Sequence, residues 1–301
     1  MDLAIETRAL NKSFEGFKAI DELSLGVPTG SIFGLIGPNG AGKTTLIQML
    51  TGIIRPDSGE AFILGRSIRE KDGSIRERLG YVPDVPIMYP GFTVAEMYRL
   101  GSKLYPFWDW ERCRSLHRGF NLPQGQRIRN LSRGQKVQVS LVMALALRPH
   151  LLLLDEPTAG LDPVVRRSFL DTIIEEAASH GTTVFYSTHN LNDLEQSADH
   201  IAAIYRGRLM FSCSLDELKE SIHRLQLVFT GEPPQEAIQS LPGLIDCQSS
   251  GRTMIITIKG DGDRIYSRLT ALGAELVKEM DLDLESIFVT LMKAEGYGFE
   301  K

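Results

Sequence analysis

Gly37-Pro38-Asn39-Gly40-Ala41-Gly42-Lys43-Thr44 follows the strand-like run Ser31 to Ile36 and leads into a helical stretch from Lys43 to Leu50. A glycine-rich turn in the pattern GxxxxGK[ST], set between a buried strand and a helix, has the chemistry of a phosphate cradle. Its glycines let successive backbone N–H groups curl around phosphate oxygens, and the helix N-terminus adds partial positive charge. In such a loop Lys43 reaches the β- and γ-phosphates and Thr44 places its hydroxyl on Mg²⁺. Gly37 through Thr44, with Thr45 behind them, are therefore candidate nucleotide contacts.

Downstream, Leu151-Leu152-Leu153-Leu154 reads as a strand buried on both faces, and it delivers Asp155 and Glu156 at its carboxyl end. That is the ligand edge of a doubly wound sheet. Asp155 is placed to hold Mg²⁺ and Glu156 to polarise an attacking water as general base. Further strands at Thr182 to Ser187 and Ile201 to Tyr205 alternate with amphipathic helices at Pro163 to Ser179 and Leu191 to Ser197, which makes the class α/β with a parallel sheet. Upstream, Ala4 to Leu10, Asp21 to Val27 and Ala61 to Leu64 read as short strands. Between Pro86 and Leu147 the periodicity turns helical, an insert in the α/β core. After about Glu220 strand-like Leu225 to Thr230 and Met254 to Ile258 lie among Gly-, Pro- and Ser-rich loops, giving a small α+β appendage.

Composition narrows the class. The chain has 301 residues, 43% apolar and 24% charged, with a net charge of -5, which excludes collagen-like, coiled-coil and disordered chains. An acidic balance offers no general attraction to nucleic acid. Cys113, Cys213 and Cys247 form neither a disulfide framework nor a CxxC zinc pair. The start carries acidic residues where an export signal needs a basic region. The most apolar stretch, Val137 to Leu154, is interrupted by Gln138, Ser140, Arg148, Pro149 and His150 and falls short of a membrane span. A cytoplasmic location is expected.

Leu131-Ser132-Arg133-Gly134-Gln135 opens a helix with Ser132 as N-cap and Gln135 at the third helical position, a capping box. The run resembles the LSGGQ signature of ATP-binding cassette (ABC) ATPases, and the motif order is similar to that family over about residues 3 to 220. The resemblance implies a P-loop NTPase fold with an N-terminal antiparallel β subdomain, in a domain at 1–220 with its helical subdomain at about 86–147. Residues 221–301 would form the accessory domain. Ala159-Gly160-Leu161-Asp162 resembles the D-loop, whose Asp162 position lies across a dimer interface in the family. His189, after Ser187-Thr188, resembles the switch histidine that contacts the γ-phosphate. Phe14 resembles the aromatic that stacks on adenine, a core aromatic being the alternative.

Two positions depart from the family pattern. Arg133 stands where the signature has its first glycine, and brings a cation toward a partner's γ-phosphate or an interface carboxylate. Asp84, in Tyr81-Val82-Pro83-Asp84, stands where the family has a glutamine. A carboxylate there can serve Mg²⁺ as a hard oxygen ligand, or it can simply cap a turn in solvent. Tyr105 to Trp110 and Leu284 to Phe288 resemble the stand-alone ATPase subunits of bacterial ABC-2-type exporters, with packing inside the helical insert the alternative for Trp108 and Trp110.

The resemblance implies hydrolysis of ATP to ADP and phosphate in a head-to-tail dimer, with Glu156 as base and Mg²⁺ held by Thr44, Asp155 and Asp84. Lys43, His189 and the partner's Ser132 and Gly134 would meet the charge on the transferring phosphoryl. Both half-sites are intact, which points to a homodimer, with a heterodimer as the alternative. Other implied partners are a separate integral membrane permease at the inner face of the membrane, and no nucleic acid. A non-transport ABC ATPase and a nucleotide-sensing module with weak hydrolysis are the rival readings, the second supported by Asp84 and Arg133. Every phosphate-site motif lies before residue 190, so the appendage is expected to be dispensable for nucleotide chemistry.

Overall fold

The computed structural model describes residues 2–70 and 73–294; Met1 and residues 295–301, the outer ends of the two expected domains, lie outside it. The described chain divides into two compact units, Met1–Ser212 and Cys213–Lys301.

In the first unit, β1 (Leu3–Phe14) and β2 (Phe17–Pro28) form a long antiparallel pair, followed by β3 (Ile32–Ile36), α1 (Lys43–Leu50), β4 (Ser58–Ile63), β5 (Arg66–Ser67), α2 (Ser74–Glu77) and β6 (Leu79–Val82). The helical insert is α3 (Val94–Leu104), α4 (Trp110–Gly119) and α5 (Arg133–Leu145). Then come β7 (Leu151–Asp155), α6 (Pro163–His180), β8 (Thr183–Thr188), α7 (Leu191–Ser197), β9 (His200–Tyr205) and β10 (Arg208–Ser214). Two sheets result, a four-stranded one ordered β2-β1-β4-β5 and a six-stranded one ordered β10-β9-β3-β8-β7-β6.

β3, β6, β7, β8 and β9 run parallel, which explains why Leu151 to Leu154 are apolar without alternation: both faces of β7 are covered and all four side chains are fully buried. Each such leucine contributes about 1.5–3 kcal/mol of burial. One core joins the antiparallel sheet to the parallel one through α1, with Ile5, Leu10 and Val27 packed in the same cluster as Phe33, Leu46, Ile47 and Leu153. In the insert, the Trp108 and Trp110 rings meet edge to face at 5.8 Å. Thr93 starts α3 with a capping box closed by Glu96.

The register sets up the ligand edge. Ile36 lies beside Thr188, Asp155 beside Ser187, and Val82 beside Leu154. Parallel strands therefore release the glycine-rich loop, His189, Glu156 and Asp84 on one edge of one sheet.

The second unit comprises α8 (Leu215–Ser221), β11 (Ile222–Phe229), α9 (Gln235–Gln239), β12 (Leu244–Ser250), β13 (Thr253–Lys259), α10 (Gly262–Ala271), β14 (Ala274–Met280) and α11 (Leu284–Ala294). It begins eight residues before the 220/221 boundary expected from composition, because α8 runs straight into β11 and packs on it. From β11 to β14 the order is β-α-β-β-α-β, with an antiparallel sheet ordered β12-β13-β11-β14. That is the ferredoxin-like arrangement, with Leu225, Leu227, Ile256 and Leu269 at its core.

Candidate functional site

Gly42, the residue before α1, has φ +110°, and a Cβ there would come within 2.5 Å of the Ala19 carbonyl oxygen. A side chain at Gly37 would collide with the Ile204 carbonyl. Only glycine fits either place, so the loop takes a shape that leaves the backbone N–H groups at the start of α1 without a side-chain cap. These free donors and the helix dipole face a cleft of about 480 Å³ lined by Phe14, Asn39 to Thr45, Asp84, Arg133, Glu156 and His189, among others.

Lys43, Glu156 and His189 meet inside it. Buried Lys43 donates to the Gly37 carbonyl at 2.7 Å and lies 3.2 Å from one Glu156 oxygen. The other Glu156 oxygen is 2.7 Å from His189 Nδ1. Glu156 itself has φ +45°, an unfavourable conformation for a non-glycine residue. Its backbone N–H is held by the carbonyl oxygen and Oγ of Ser187 at 3.1 and 3.0 Å. One carboxylate thus meets the Lys43 ammonium with one oxygen and the His189 ring nitrogen with the other.

Asp155 is 1% exposed. Its Oδ1 accepts from Ser187 Oγ at 2.8 Å and from Thr44 Oγ1 at 3.1 Å. Burial raises its carboxyl above the ordinary carboxylate range; the two hydroxyls oppose that shift, and the nearby charges of Glu156 and Asp84 add to it. A buried carboxylate beside a threonine hydroxyl is an all-oxygen donor set, and it fits a hard divalent cation such as Mg²⁺. Among the described residues no cluster of three or more His, Cys, Asp or Glu forms a metal cage.

Asp155→Asn is therefore expected to raise the melting temperature of the nucleotide-free protein by a few degrees, roughly the shift that 1 kcal/mol gives a chain of this size. The amide keeps the shape and still accepts from Thr44 and Ser187. Because the carboxyl is raised, its charge costs nothing below the ordinary carboxylate range and costs most above the raised value. The gain should vanish once the pH falls below the ordinary carboxylate range and grow toward neutrality, as measured by calorimetry; a variant less stable than wild type at pH 7 refutes this.

The remaining candidates divide. Phe14 is 42% exposed at the cleft, not a core residue, and the Lys12 ammonium lies 5.2 Å from its ring centroid. Asp84 reaches the cleft with its Oδ1 accepting from Arg133 Nη2 at 2.9 Å. Its side chain is 46% exposed. Ser132 and Gln135 close their capping box on α5, and with Gly134 they do not line the cleft of their own chain. Asp162 accepts from the backbone of Val164 and Val165 as the cap of α6, also away from it.

Two residues escaped the sequence reading. Ser187 braces Asp155 and Glu156 together; its only signal is a small hydroxyl ending the strand next to β7. Asp193, 3% exposed on α7, accepts from Thr158 Oγ1 at 2.7 Å, and so ties the segment after Glu156 to the helix after His189. A carboxylate on the inner face of a short helix is its only trace.

A profile of the ABC transporter family matches residues 20–159. The chain is 32% identical to the ABC transporter ATP-binding protein YtrB of Bacillus subtilis (strain 168), over 95% of this chain and 97% of the relative. It is 36% identical to the daunorubicin/doxorubicin resistance ATP-binding protein DrrA of Streptomyces peucetius, over 73% of this chain and 68% of the relative. A solved ATP-binding subunit of an ABC transporter superposes with a TM-score of 0.67 at 25% identity, covering 89% of this chain and 99% of that one.

Proposed function

Because the chain belongs to the ABC transporter family, as one of its ATP-binding subunits, we propose that its cleft hydrolyses ATP only after a second copy has docked head to tail and completed it. The supporting observation is a division within the chain. Lys43, Thr44, Glu156 and His189 line one cleft, with buried Asp155 behind Thr44, while Ser132, Gly134 and Asp162 stand outside that cleft and only Arg133 of the signature run reaches it. A single chain thus carries two half-sites pointing to different places. Nothing distinguishes one half as defective, which favours a homodimer.

In the closed site the triphosphate draws Lys43 and His189 away from Glu156, since phosphate oxygens offer more charge than one carboxylate. The freed Glu156 carboxylate accepts a proton from the attacking water, and the γ-phosphoryl passes to that water, giving ADP and phosphate. Thr44 and Asp155 would hold Mg²⁺, with Asp84 on the lining of the same cleft; bound there, the ion would offset negative charge on the triphosphate. Phe14 supplies an aromatic face for the adenine.

The work is done on a separate integral membrane permease, a reading supported by the likeness to ATP-binding proteins of ABC transporters; among the described residues no helix is long and apolar enough to cross a membrane. Val85, Ile87 and Tyr89, 68%, 91% and 60% exposed just after Asp84, form an apolar strip for that partner. Export is the direction favoured by the likeness to a drug-resistance protein.

Phosphate release from purified protein tests the composite site. Activity per chain should rise with protein concentration and vanish on chelating Mg²⁺ with EDTA. Constant specific activity over a hundredfold dilution, with no ATP-induced dimer, overturns the reading.

A further inference from the structure

The two residues that depart from the family pattern are paired with each other. Asp84 follows β6 and Arg133 opens α5, 49 residues on, yet the guanidinium meets the carboxylate at 2.9 Å and both line the chain's own nucleotide cleft. The side chains are 51% and 46% exposed, and a pair so solvated contributes little to folding. Its consequence lies elsewhere. In the cleft Glu156 meets Lys43 and the His189 ring, and Asp84 meets Arg133. Lys43 and Arg133 each face a carboxylate that a phosphate must displace.

We propose that Asp84 and Arg133 form an exchangeable charge pair that restrains closure of the dimer. On closure Arg133 leaves Asp84 for phosphate oxygens at the composite site, and Asp84 turns to the nucleotide's cation. Arg133 is thereby a phosphate-binding residue supplied from the signature helix, where a planar guanidinium grips phosphate in two-point contact that a glycine backbone does not offer. No bond is made or broken, only ionic partners. The inference rests on the composite-site reading above.

A double-mutant cycle tests it in the Glu156→Gln background, which separates closure from turnover. The readout is the ATP concentration giving half-maximal dimer on size exclusion with Mg²⁺ present, for the parent, Asp84→Gln, Arg133→Gly and both together. Asp84→Gln is expected to lower that concentration at least threefold, because Arg133 starts free. Arg133→Gly should raise it at least threefold more in the Asp84→Gln background than beside native Asp84, where losing the phosphate contact is offset by losing the restraint. Equal effects in the two backgrounds, or an Asp84→Gln protein that needs more ATP than the parent, overturn the proposal. If the parent itself stays monomeric at saturating ATP, the composite site is what has failed. Both side chains are half exposed, and unchanged melting temperatures across the four proteins show that the comparison is of closure and not of folding.

Discussion

Glu156→Gln should lower ATP turnover by about 10²–10⁴-fold, the range that a positioned general base supplies, while ATP binding survives. The amide fills the same space but accepts no proton from the attacking water. The structure adds a second expectation. One Glu156 oxygen is 3.2 Å from Lys43 and the other 2.7 Å from His189, so removing the charge frees the Lys43 ammonium and loosens the His189 contact before nucleotide arrives. The variant should bind ATP at least as tightly as wild type and hold a dimer that wild type only passes through. Single-turnover kinetics with calorimetric ATP binding checks both halves. Turnover within tenfold of wild type would remove Glu156 from the role of base.

Lys43→Ala should weaken Mg²⁺-ATP binding by roughly 10²-fold, the loss of one or two charge-assisted contacts to phosphate at about 1.5–3 kcal/mol each. It also strands Glu156: the carboxylate loses the ammonium at 3.2 Å and faces the triphosphate with only its His189 contact. Neutralising both, as Lys43→Ala with Glu156→Gln, should recover part of the affinity without recovering turnover. Titration calorimetry measures all three, and a single variant binding within threefold of wild type would mean that Lys43 serves the loop and not the ligand. Lys43 does serve the loop through its bond to the Gly37 carbonyl, so loss of melting temperature is to be recorded alongside.

Much of the first unit could be read without coordinates, since its signals are local. The glycine-rich loop has conformational demands that only its own sequence meets, and a run such as Leu151 to Leu154 admits only a strand covered on both faces. Capping at Ser132 and Gln135 is a contact between residues three apart, and it forms as the sequence implies. The second unit was less legible. β14, Ala-Glu-Leu-Val-Lys-Glu-Met, is made of good helix formers and becomes a strand through pairing with β11. β12 ends in Gln248, Ser249 and Ser250, too polar to read as a strand until β13 lies beside it.

The amino-acid sequence by itself determined the phosphate loop, the strand that carries Asp155 and Glu156, and the ATP-binding family, because each depends on residue types at short fixed spacings. What only the tertiary structure decided is which side chains pair with which. Lys43 and Glu156 are 113 positions apart, Glu156 and His189 33, and Asp84 and Arg133 49. Such pairs arise when parallel strands deliver distant loops to one edge of a sheet, and ionic attraction depends on separation in space, falling as its inverse, with no regard for separation along the chain. Asp84 and Arg133 were two unrelated departures in the sequence, and the fold makes them one contact.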